Sequence, residues 1–234
     1  MNKPKSREYY RILILRTVGN FLILSSLFMI GKTFYNPVKE EVRYFIDNQI
    51  QKKYIVTDVN DASQKDQIQQ PKGMLAKALN IKPVEVLIPE DSNFSIVIPK
   101  IGANARILSN IDSASEPTYL EALKHGVAHA GGTAYPGEGG HIFLFAHSTD
   151  YFWNVGTYNA IFYLLYKLEK GDEVNIYYQG QRYRYQVTDK TVVDPSQVEY
   201  LTRKTNKEFL TLQTCWPPGT TLRRLLVFAT RVAE

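Results

Sequence analysis

Cys215, His147 and Arg224 are the residues of this chain whose types and settings fit nucleophilic chemistry. Cys215 is the sole cysteine of the 234-residue sequence. Neither an intramolecular disulfide nor a cysteine-built zinc cage is therefore available. A lone thiol is ordinarily an inert core residue, but the flanking sequence argues against that here. Cys215 ends the strand-like run Phe209-Leu210-Thr211-Leu212-Gln213-Thr214, and Pro217, Pro218 and Gly219 break that run at once. The thiol is thus expected at a strand mouth beside a turn. Arg224 opens the next strand, at a spacing where strand, turn and return strand bring it beside Cys215. His147 closes another apolar strand, 141–147. A neighbouring His, Arg or Lys favours the thiolate, and attack on an amide carbonyl also needs donors aimed at the developing oxyanion. Arg223 rivals Arg224 for that role, but strand alternation turns the two to opposite faces.

The elements that must position these residues are short. Strands are expected at 94–99, 141–147, 173–178, 182–193, 208–215 and 223–232, the third and fourth forming a hairpin through a Gln-Gly turn. A short helix is expected at 117–124, with Ser115 as its cap and Gly126 as its stop. A second is expected around Ile161, Leu164, Leu165 and Leu168, capped by Asn159 and ended by Gly171. Strand following strand, with short helices, points to an all-β fold, a closed antiparallel barrel or a sandwich. His125 and His129 have the spacing of helical metal ligands, but Gly126 and the Gly131-Gly132 pair argue against a helix there, and no metal site is expected.

Residues 12–31 are apolar apart from Arg16, which is about the length of a membrane-spanning helix. Lys3, Lys5, Arg7, Arg11 and Arg16 stand against Glu8 at this tip, so nearly all of the chain's net charge of +5 lies there. The basicity is therefore not the footprint of a nucleic-acid-binding domain. It places the N-terminus in the cytoplasm and the rest of the chain outside. No alanine precedes Ala62, so a signal-peptidase site is lacking and the span is expected to be retained as an anchor. The division expected is a cytoplasmic tip (1–11), a transmembrane signal anchor (12–31), an extracytoplasmic stalk or linker (32–92) and a catalytic domain (93–234). Within the stalk, 57–72 is polar with little to bury, 38–54 has the scattered apolar residues of a helix, and 74–79 suggests a helical turn.

Thr211-Leu212-Gln213-Thr214-Cys215 resembles the T-L-x-T-C signature of the sortase family. Arg224-Leu225-Leu226-Val227 resembles the R-L-L-V that follows it, and Phe143-Leu144-Phe145-Ala146-His147 the strand ending in the family's histidine. Thr133-Ala134-Tyr135-Pro136-Gly137, Ile98-Pro99-Lys100-Ile101 and Gly171-Asp172 are similar to further family segments in the same order. The resemblance covers roughly residues 93–234. It implies a closed eight-stranded β-barrel behind one N-terminal transmembrane helix. It also implies a cysteine transpeptidase that cleaves an LPxTG-like C-terminal sorting motif and passes the acyl group to an amine. Carried over, Cys215 is the nucleophile, His147 the general acid/base and Arg224 the oxyanion stabiliser, with Thr214 adding a polar contact near the substrate. The implied partners are secreted proteins bearing the sorting motif and an amine of the cell envelope or a pilin lysine. No cofactor is implied as required, with calcium dependence the one point left open. Two positions depart from the usual pattern: His141 stands where Asn is common and Ser148 where Arg often follows the histidine. The aromatic loop 151–158 fits no class. Two other readings compete. An L,D-transpeptidase also uses Cys and His, but typically has Gly before its cysteine, where Thr214 stands. A non-catalytic barrel holding a peptide would not need all three residue types.

Overall fold

Residues 6–57, 83–148 and 160–232 are described by the computed structural model. Most of the polar 57–72 stretch, the turn expected at 74–79, the 151–158 loop and Asn159 lie outside the described residues. The apolar run near the start is taken up by one helix, α1 (Ser6–Gln49), which continues past Gly31 and through Pro37. By length and composition α1 suffices to cross a membrane, and its apolar side chains are exposed. The chain divides into two compact units, Met1–Val42 and Arg43–Glu234.

In the second unit the last turns of α1 are fastened to the chain beyond. Arg43 Nη2 donates to the Ile101 carbonyl at 2.9 Å, and Tyr54 donates its hydroxyl hydrogen to Asp47. Strand β1 (Lys53–Val56) runs parallel to β2 (Val84–Leu87). Leu87 joins Val97 and Tyr177 in a small apolar cluster against which Tyr54 and Val56 pack. Within the stretch expected as a stalk (32–92), β1 and β2 thus carry regular structure packed within the second unit.

The barrel itself consists of β3 (Phe94–Ile98), β4 (Ala103–Ile111), β5 (Val127–Ala130), β6 (His141–Phe145), β7 (Glu173–Tyr178), β8 (Gln181–Val193), β9 (Phe209–Trp216) and β10 (Arg223–Arg231). These eight strands close in the order β10-β8-β7-β3-β4-β5-β6-β9, the closed barrel expected from the resemblance. Neighbours are antiparallel except for β4–β5 and β6–β9. Helix α2 (Glu116–Leu123) makes the crossover that the parallel β4–β5 pair requires. Ser115 precedes it as expected, but its hydroxyl meets Thr118 Oγ1 at 2.7 Å rather than a backbone N–H.

Alternation along the strands sorts two faces. Ile142, Leu144, Leu210, Leu212, Leu225 and Val227 belong to the main core. Phe143, Phe145, Leu226, Phe228 and Val193 belong to a second cluster, closed over by Leu123, Tyr200 and Leu201. Burial on both faces explains why β6 and β10 read as unbroken apolar runs. The helix expected around Leu164 is a 3-10 turn, Tyr163–Lys167, held by i→i+3 bonds such as Leu168 N–H to the Leu165 carbonyl. Leu164, Leu165 and Leu168 are buried in either geometry, so apolar spacing alone does not distinguish the two.

Candidate active site

Strand β9 lies between β6 and β10, and its register decides what stands beside the thiol. On one side, Cys215 is directly opposite Arg224, and Trp216 is opposite Arg223. On the other, β6 runs parallel with Phe145 opposite Gln213. The tie continues beyond the strand's end, since Ala146 donates its N–H to the Gln213 carbonyl at 3.1 Å. Two residues on from that pair stand His147 and Cys215. Residues 143, 145, 211, 213, 215, 224, 226 and 228 share one face, so Cys215 and Arg224 face the same way across β9 and β10, while His147 follows β6 two residues beyond its last paired residue, Phe145. The three sequence-predicted site residues are thereby brought to one sheet end, and Arg223 is turned away from them.

Residues 96–232 match the family model described as the Sortase domain. The chain belongs to the sortase family. It is similar to Sortase D of Bacillus subtilis (strain 168), with 29% identity over 138 residues covering 58% of this chain and 61% of that protein. The chain thus spans about three-fifths of the length of that relative. Among solved structures it is similar to sortase C-1 from Actinomyces oris, at 34% identity and a TM-score of 0.51, covering 62% of this chain and 76% of that one. It is also similar to sortase C1 of GBS pilus island 1, at 30% identity and a TM-score of 0.51, covering 60% and 64%. Sortase-family members are transpeptidases, and the closed barrel found here is their fold.

In this sortase the nucleophile candidate is half-buried. Burial pushes the Cys215 thiol up from its ordinary range, while the positive charge of Arg224 pulls it down. Burial is the larger effect, so the resting thiol is protonated at neutral pH and attack requires a proton acceptor. Arg224 is also half-buried. Its Nη1 donates to the carbonyls of Thr221 (3.0 Å) and Arg223 (3.1 Å). His147 is half-buried, and its carbonyl accepts the Phe162 N–H at 3.3 Å.

Thr214 lies differently from the sequence expectation. It is 3% exposed, and its hydroxyl donates to the Ala146 carbonyl at 2.9 Å. The residue before the cysteine thus clasps the residue before the histidine, so its polar atom is spent within the protein rather than toward a substrate. The inward parity of Thr214 is readable from alternation; its partner, 68 positions away, is not. His141, in the position where the family commonly has Asn, is buried with Nε2 at 2.8 Å from Thr211 Oγ1. Burial, then the nearby charge of Arg203, lowers its pKa to about 4, so it is neutral.

The family's Pro-Gly turn is held from the far end of β9, where the Gly137 N–H and Arg231 both donate to Glu208. His129 sits in β5 rather than on a helix. Its Nδ1 accepts the Asn110 N–H, and its Nε2 faces the Ala134 carbonyl at 3.0 Å. Exposed His125 pairs instead with Glu121. Among the described residues no group of three or more His, Cys, Asp or Glu side chains is placed to hold a metal ion.

Proposed function

We propose that the chain is a sortase transpeptidase that cleaves an LPxTG-like sorting motif at the Thr–Gly bond and transfers the new C-terminus to an amine. The observation that carries this is the register that sets Cys215 opposite Arg224 on β9 and β10, with β6 parallel on the other side and the chain passing on to His147 two residues after the Phe145–Gln213 pair. Binding of the sorting peptide brings the carbonyl carbon to Sγ. His147 accepts the thiol proton as the Sγ–C bond forms, and Arg224 donates to the oxygen that gains charge. Collapse of the adduct breaks the C–N bond, and the leaving amine takes the proton from His147. This leaves a thioester on Cys215. An incoming amine then attacks the thioester, loses a proton to His147, and restores the thiol as the new amide forms.

The acceptor is an amine of the cell envelope or a pilin lysine; a relative from a pilus island supports the second. The apolar part of α1 is the anchor, with the basic tip in the cytoplasm and the barrel outside. No resident cofactor enters this scheme. The decisive experiment incubates purified wild type and Cys215→Ala with a fluorogenic sorting peptide and an amine. Wild type releases the fragment and forms a mass-detectable thioester; the variant does neither while keeping its melting temperature within a few degrees. A variant that still cleaves would overturn the role given to Cys215.

A further inference from the structure

The 3-10 turn Tyr163–Lys167 touches both arms of the site. On the histidine side, the wholly buried Phe162 donates its N–H to the carbonyl of His147 at 3.3 Å. On the cysteine side, the Tyr166 ring lies 5.4 Å from the ring of Trp216, the residue that follows Cys215. Leu164, Leu165 and Leu168 root the turn in the main core. What closes the turn is Lys190 of β8. Its Nζ donates to the carbonyls of Tyr166 and Leu168, each at 2.7 Å. These are short, charge-assisted bonds, the strong kind, and they satisfy carbonyls at the turn's open end. Lys190 stands opposite Val227, three residues along β8 from the Val193–Arg224 pair. One ammonium group therefore couples the strand beside Arg224 to a turn that holds the backbone of His147 and abuts the neighbour of Cys215.

We propose that Lys190 is a positioning residue for the transpeptidase site, acting through the 163–167 turn on the placement of His147 relative to Cys215. This rests on the function proposed above. It follows that loss of the ammonium acts on the chemical step and leaves peptide binding nearly unchanged, because misplacement of a catalytic group by a fraction of an ångström slows reaction without removing contacts to the substrate.

The test compares wild type, Lys190→Met and Lys190→Arg by three measurements. These are kcat and KM for peptide cleavage, the pH profile of Cys215 alkylation by iodoacetamide, and the thermal melt. Expected for Lys190→Met is a loss of about tenfold in kcat with KM within about twofold. A shifted alkylation profile and a largely retained melting temperature are expected with it. Lys190→Arg, which keeps the charge and can still reach both carbonyls, regains most of the kcat. The proposal is overturned if Lys190→Met leaves both kcat and the alkylation profile as in wild type. It is equally overturned if kcat falls only as far as the melt accounts for, or if Lys190→Arg is no better than Lys190→Met. The alkylation arm needs no substrate, so it reads the coupling even where wild type fails to cleave sorting peptides, an outcome that would sink the proposed function instead.

Discussion

Replacing Arg224 with lysine keeps a positive charge across from Cys215 but removes the planar fork. In the present geometry one nitrogen of that fork holds the carbonyls of Thr221 and Arg223, and the proposed mechanism gives the others the substrate oxygen. An ammonium on a flexible stem serves the turn or the substrate, not both in fixed geometry. Loss of one oxyanion donor typically costs about 10²–10³ in kcat, or about 2.7–4 kcal/mol of transition-state stabilisation. Arg224→Lys is expected within that range. Arg223 is exposed and stands opposite Trp216 on the other parity, so Arg223→Lys is expected to lose no more than about threefold, worth about 0.65 kcal/mol. Both side chains lie outside the buried core, so melting temperatures should move little. Steady-state cleavage of a quenched sorting peptide, with burst amplitudes to count active sites, measures both variants. Equal losses, or a larger loss at Arg223, would show that the facing of β10 does not select the oxyanion donor.

Thr214→Val keeps the shape of the side chain but leaves the Ala146 carbonyl without its donor. A stability loss of about 1–3 kcal/mol in urea unfolding is expected, together with a fall in kcat at nearly constant KM; an unchanged kcat would remove the clasp from the mechanism. His141 gives a pH signature. Its folded pKa of about 4 lies below the ordinary value near 6.5, so on acidification the unfolded chain takes up the proton first. The stability it contributes is present above about pH 6.5 and is lost as pH falls toward 4, by up to roughly 3 kcal/mol. His141→Asn should flatten that slope in melts between pH 7 and 4.5, and parallel slopes for variant and wild type would refute the assignment.

What was legible in the sequence was local. Pro217-Pro218-Gly219 after an apolar run fixed a strand end at the cysteine, and the alternation of Arg223-Arg224-Leu225-Leu226 told the two arginines apart. The unbroken run Ile142-Phe143-Leu144-Phe145 marked an apolar strand, and the structure buries it between two apolar clusters. Pairings between distant segments left no such trace. Nothing in 141–147 announces that it lies parallel to 209–215, and nothing near Thr214 announces Ala146. The parallel pairing of Lys53–Val56 with Val84–Leu87 was hidden for the same reason, since four residues of mixed exposure carry little periodicity. Nothing in the sequence singles out Lys190, because its partners are backbone carbonyls, which every sequence offers. The 161–168 segment had the spacing of a helix, yet its short length let the i→i+3 geometry win.

The parallel β6–β9 pair also governs the order in which the site comes into being during synthesis. Between the two strands the chain makes the 3-10 turn and the whole β7–β8 hairpin before β9 returns to lie against β6. β9 and β10 are the last barrel strands to leave the ribosome, and only they bring Cys215 and Arg224. A nascent chain that has already folded β3 to β6 exposes the β6 edge, unpaired and apolar, until β9 arrives. The thiol, for its part, gains its charged neighbour only when β10 folds back on β9. The proposed reactive centre is therefore built by the closing of the barrel, and a partly emerged chain carries His147 without Cys215.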